Sequence, residues 1–134
     1  MRIDPRQRGL RICAWFCIIL LAYLSLIPGD LQVRTGAPSL FEHFIAYFGT
    51  ATFFMLGYPR RRAVSAASLM VYASVLELGQ LISPGRFASV VDATASILGV
   101  GVASALVILA ARSAFFGKWL DGSTRQLEER FNRP

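Results

Sequence analysis

Residues Ala88–Ala111 read ASVVDATASILGVGVASALVILAA, a run of apolar and small residues long enough to cross a bilayer, which takes about 20. Three more such runs lie upstream. The first, Leu10–Ile27, reads LRICAWFCIILLAYLSLI; it is the shortest, and Arg11 must snorkel to the interface for it to span. The second is Ser39–Tyr58 and the third Ala63–Ile82. Pro28-Gly29, Tyr58-Pro59 and Pro84-Gly85 stand where a helix should stop. The expected fold is an all-α membrane protein. Four transmembrane helices, about 10–27, 39–58, 63–82 and 88–111, follow a basic N-terminal segment 1–9 and precede an interfacial and cytoplasmic tail 112–134.

The composition agrees. Of 134 residues 54% are hydrophobic and 16% charged, where a soluble domain averages about a quarter charged. The mean hydropathy is +0.51. A formal charge of +6 would suit a nucleic-acid binder only if it formed a basic face on a soluble fold. Here the basic residues sit between apolar runs, so nucleic acid is not an expected partner. Cys13 and Cys17, both in the first run, lack the spacing of a disulfide framework or a zinc site and read as packing residues. The first run has a long apolar stretch and no small-x-small cleavage site before Pro28, so it reads as a retained helix rather than a signal peptide.

Orientation follows from the Lys and Arg in the connections. Arg2, Arg6, Arg8 and Arg11, then Arg60, Arg61 and Arg62, then Arg112, Lys118, Arg125, Arg130 and Arg133 fall on one side, against Arg34 and Arg86 on the other. Both termini are expected in the cytoplasm. In the tail, Phe115, Phe116, Trp119 and Leu120 beside Lys118 suit the headgroup level. Ser123 and Gln126 have the spacing of a capping box opening a short polar helix with Leu127 and Phe131 on one side. That segment is read as an interfacial anchor, with a partner-docking helix as the alternative.

Any chemistry belongs to Glu42, His43, Tyr47, Glu77, Gln80, Arg86 and Asp92, the polar residues within or beside the apolar runs. With the N-terminus inside, all seven fall in the outer leaflet or at its surface. Each has a structural alternative. Ser39 with Glu42, and Ser89 with Asp92, have cap spacing. His43 and Tyr47, one turn apart, suit a hydrogen-bonded packing pair; no partner motif marks a tetrapyrrole site, and no cofactor or metal is expected. Glu77, more than a turn inside its helix end, has no cap to make there. Intramembrane charge costs about 2.5–3.5 kcal/mol at a helix centre and usually lines an interior or a pathway. Gln80 shares its face, and the structural alternative is an ion pair with Arg86 folded back over the turn. Ala95, Gly99 and Ala103 are small-x-x-x-small steps along which the fourth helix should pack.

The string Glu77–Gly99, ELGQLISPGRFASVVDATASILG, resembles the signature of the VanZ-like membrane proteins: glutamate-x-x-glutamine, a short turn ending in Gly-Arg, then an aspartate opening a small-residue helix. FEHFIAYF resembles that family's acidic-His-Phe-x-x-Tyr segment through Glu42, His43, Phe44 and Tyr47. Together the motifs cover roughly residues 25–105. The family usually carries an asparagine four residues after the aspartate, where this chain has Ser96. The resemblance implies a bacterial cytoplasmic-membrane protein of the cell envelope, in a family associated with resistance to the glycopeptide teicoplanin and without a settled activity.

Three functions fit these residues. One is binding of, or protection against, a glycopeptide-like or lipid-linked envelope molecule. Another is a scaffold subunit of a larger membrane complex, and the third an enzyme acting on a lipid-linked substrate, with Glu77 or Asp92 as base and Arg86 and His43 on a phosphate. The sequence holds no nucleophile-and-base pair, metal-ligand cluster or phosphate-cradling glycine loop, so the enzyme is the weaker reading. Membrane lipids are expected partners in every case.

Overall fold

The computed structural model describes residues 4–31 and 36–131, with 115–131 described as backbone only. Every regular element among them is helical: α1 (Pro5–Leu26), α2 (Ser39–Gly57), α3 (Arg62–Gly79) and α4 (Val90–Phe131), with single 3-10 turns at Gly29–Leu31, Pro59–Arg61 and Gln80–Ile82. The proline and glycine punctuation sets the breaks. Asp4 caps α1 by accepting from the Arg6 N–H at 3.0 Å, with Pro5 at the first helical position. Ile27 turns extended before Pro28, as a pre-proline residue does.

Two expectations from the sequence need correction. The first helix starts at Pro5 rather than near Leu10, because the Asp-Pro pair caps it there. The fourth continues unbroken to Phe131, so Ser123 lies inside a helix and opens no new one. The side chains of Phe115, Phe116, Lys118, Trp119, Leu120, Leu127 and Phe131 lie outside the described residues.

Helix α2 is the centre of the bundle, packing most extensively on α4 and next on α1, while α3 leans on α4 and α2. The α2–α4 seam closes at Gly99. A Cβ there would collide with the Phe44 carbonyl oxygen and stand 3.1 Å from the Phe48 nitrogen. Ala95 and Ala103, one turn to either side, are buried. The small-residue face read from the sequence is thus the face α4 presents to α2.

Around this core, which includes Ala14, Leu21, Tyr47, Ala51, Leu76 and Val100, the outer surface is apolar. Ile12, Phe16, Ile19 and Tyr23 on α1, Val64, Val71 and Val75 on α3, and Leu98, Leu106 and Leu109 on α4 are all exposed. Three helical stretches, Pro5–Leu26, Pro59–Ile82 and Val90–Ala114, are long and apolar enough to cross a membrane, yet only 11%, 28% and 28% of their most apolar windows are buried in the protein. So much uncovered apolar surface fits a lipid surround and not water. Hydroxyls along the helices bond to their own backbone: Thr50 to the Ala46 carbonyl, Thr52 to Phe48, Ser74 to Met70 and Ser104 to Val100. Each is thereby satisfied without water.

Cys13 is free and exposed and Cys17 free and half-buried. Cys13 is therefore not the packing residue expected from the sequence. Arg11 does not stretch past the helix end either. Its Nε donates to the Gly57 carbonyl at 2.9 Å, and its guanidinium lies 4.5 Å from the centroid of the Tyr58 ring.

Candidate functional site

The first and third connections meet at one end of the bundle. Gly29 N–H donates to the Pro84 carbonyl at 3.1 Å, and the Ser83 hydroxyl to the Leu26 carbonyl at 2.9 Å. The turn needs both glycines. Gly85 has φ +72°, and a Cβ on Gly29 would overlap the Gly85 carbonyl. At this same end the sequence-selected polar residues come together.

Glu77 is 6% exposed and Gln80 4%. One carboxylate oxygen of Glu77 accepts from the Ser89 backbone N–H at 2.6 Å, and the other from Gln80 Nε2 at 3.3 Å. Ser89 stands immediately before α4, and its own hydroxyl accepts from the Asp92 N–H at 3.2 Å. This is a capping box whose reciprocal half comes from another helix. The serine satisfies a donor in the first turn of α4, and the carboxylate that returns to the serine N–H is Glu77 of α3, not Asp92. Glu77 makes no cap on its own helix; it caps its neighbour.

Asp92 is thereby released from the local cap. Its Oδ2 accepts from the Ser39 hydroxyl at 2.9 Å, joining the start of α4 to the start of α2. Ser39 is the first residue of α2, and the capping position before it is Pro38, which makes no side-chain cap. Glu42 is half-buried in the first turn of α2, where its charge suits the helix dipole.

His43, one turn along, has Nδ1 at 3.2 Å from the Ser96 hydroxyl, which itself donates to the Asp92 carbonyl at 3.0 Å. With the one Ser96 proton on that carbonyl, His43 Nδ1 is the donor in the ring contact. Tyr47 is buried one turn further in, within electrostatic reach of Glu77.

Arg86 stands apart from the others. Its backbone N–H donates to the Ser83 carbonyl at 3.2 Å, closing the turn. Its side chain is half-buried, and Nη1 is fully enclosed without a hydrogen-bond partner. The ion pair with Glu77 weighed from the sequence does not form, because both Glu77 oxygens face Ser89 and Gln80.

Ser39, Ser89 and Ser96 are the members of this network that the site reading left out. The first two carried a signal as cap residues, and Ser96 as the substitute for an asparagine. No spacing rule gave their cross-helix partners.

Chemically the end of the bundle is a set of acceptors and donors on three helices, with an unmatched cationic donor in the turn between α3 and α4. Ser96 meets a histidine, but it is 1% exposed and its proton is committed to a carbonyl, which leaves no accessible nucleophile there. Among the described residues no three of His, Cys, Asp and Glu gather as metal ligands would. Beside the polar network, Phe41, Phe44, Val91 and Leu98 border an apolar groove of about 480 Å³ between the first halves of α2 and α4.

Comparison with known families, curated proteins and solved structures finds no match for this chain. What stands on the fold is the class: among the described residues the protein is all-helical, with three helices long and apolar enough to cross a membrane.

Proposed function

We propose that this chain is a VanZ-like protein of the bacterial cytoplasmic membrane, crossing it four times with both termini in the cytoplasm. In this reading α2 is the fourth span. Its hydropathy is lowered by Glu42, His43, Thr50 and Thr52, all at its entry or bonded within the bundle. The protein binds a glycopeptide-like or lipid-linked envelope molecule at the outer end of α2, α3 and α4.

The observation that carries this reading is Arg86 Nη1. A charged donor enclosed without an acceptor costs upwards of about 1–3 kcal/mol, and the guanidinium fork matches a carboxylate or a phosphate. Both candidate ligand classes carry such an anion. The Asp92 carboxylate adds an acceptor at the same end of the bundle, and the apolar groove between α2 and α4 suits the chain of a lipid-linked ligand.

The test is binding by the detergent-solubilised protein of teicoplanin and of a polyprenyl-diphosphate-linked precursor. Wild type should bind one of the two. Arg86→Ala should weaken that binding by roughly 10–100-fold, the loss expected for a charge-assisted hydrogen bond. Binding of neither probe, or binding indifferent to Arg86→Ala, overturns the reading.

A further inference from the structure

The arginine-rich end of the bundle, opposite the polar network, carries a second site. Arg11, Tyr58, Arg60 and Arg61 border a cleft of about 280 Å³ where the start of α1 meets the α2–α3 connection. Its described lining includes, besides these, only Gln7 and Pro59. Arg60 and Arg61 are exposed on the 3-10 turn, and Arg11 is fixed by its bond to the Gly57 carbonyl and by the Tyr58 ring beneath it. Three positive charges thus converge on one concavity, and among the described residues no carboxylate lines it.

The cleft adjoins an apolar groove of about 430 Å³ along the seam between α1 and α3. Tyr58 and Arg61 belong to both. The groove is walled by Trp15, Phe54, Leu69 and Tyr72 and has Ser68 on its rim. Its wall is braced: Trp15 Nε1 donates to the Tyr58 hydroxyl at 3.0 Å, Trp15 meets Phe54 edge-on at 5.7 Å, and the Tyr72 hydroxyl donates to the Ile18 carbonyl at 2.7 Å. A polar head bearing one negative phosphate above an apolar tail matches this pairing of basic cleft and greasy channel, and basic pockets between membrane helices hold anionic headgroups in this manner.

We infer that this seam is a binding site for an anionic phospholipid, its phosphate among Arg11, Arg60 and Arg61 and one acyl chain in the α1–α3 groove. The site lies in the leaflet at the arginine end whichever way the bundle is inserted, and it does not rest on the proposed site at the other end.

The experiment is native mass spectrometry of the full chain released from detergent with phosphatidylglycerol, phosphatidylcholine or glycerol phosphate added. Phosphatidylglycerol should be retained at least about tenfold better than phosphatidylcholine. The double variant Arg60→Gln/Arg61→Gln should abolish that preference, each surface charge contributing at the level expected beside an anionic headgroup. Ser68→Trp, at the groove and outside the arginine cleft, should weaken retention of both diacyl lipids. Equal retention of the two phospholipids, or a preference surviving the arginine double variant, overturns the site. Glycerol phosphate held as well as phosphatidylglycerol would make it a free-phosphate site and overturn the lipid assignment.

Discussion

Glu77 shows how a costly residue acquires its place. A carboxylate among Leu76 and Leu78 is expensive unless its oxygens find donors. Those donors are a backbone N–H at the head of another helix and the side-chain amide one turn on. Glu77→Ala should therefore be among the most destabilising single changes at this end, by about 2–4 kcal/mol, since it leaves the Ser89 N–H and Gln80 Nε2 buried and unmatched. Glu77→Gln keeps one acceptor and should cost less. Arg86→Ala, with no bond to Glu77, removes an enclosed unmatched donor and should not lower thermal stability in detergent, and the two effects should add in a double-mutant cycle. A coupling above about 0.5 kcal/mol would mean the two side chains interact after all. The sequence marked Glu77 correctly as anomalous but offered the wrong partner, because Arg86 is adjacent in the chain while Ser89 becomes adjacent only once the turn folds α4 back. Ser96 is a similar case. Its hydroxyl was visible as a departure from an asparagine, and its contact with His43 is set by the α2–α4 approach.

Among the elements, α4 was the most legible. Ala95, Gly99 and Ala103 fall every four residues in the sequence, and that stripe is where α2 comes closest. Gly99 and Gly101 make a controlled comparison. A Cβ at Gly99 runs into the Phe44 carbonyl, whereas one at Gly101 meets nothing within 4 Å. Gly99→Ala should lower stability by about 1–3 kcal/mol, the usual cost of overpacking, because backbone cannot yield as a side chain can. Gly101→Ala should be neutral or slightly stabilising through the helix propensity of alanine. Thermal unfolding of both in the same detergent is the check, and equal effects would mean the seam is loose. Leu109→Ala, on the exposed side, belongs with the neutral group. Helix ends were less legible, because a cap needs only a local serine and aspartate to be guessed but takes its true partner from the tertiary fold. Ser39 reaches to Asp92, and the box at Ser89 is completed from α3.

For the whole molecule, the hydropathy runs located the helices and the punctuation located the turns between them, but neither says which way up the bundle sits. The bond between Gly29 and Pro84 puts the first and third connections on one side. The cation–π contact of Arg11 with Tyr58 puts the start of α1 and the α2–α3 connection on the other. Those contacts are the same in either orientation. What distinguishes the two is the arginine count at each end, which acts during insertion and leaves no packing trace. The orientation is therefore tested in the membrane itself, on a background with Cys13 and Cys17 replaced by serine. Asp30→Cys, exposed beside the Gly29–Pro84 contact, should react in intact cells with a membrane-impermeant maleimide. Gly9→Cys, exposed at the arginine end where a side chain meets nothing within 4 Å, should react only after permeabilisation. The opposite pattern would place Glu77, His43 and Arg86 on the cytoplasmic side, out of reach of a glycopeptide, and would remove the proposed function. It would leave the arginine cleft intact, still at a headgroup layer but facing the other leaflet, so the lipid site would survive the result that removes its neighbour.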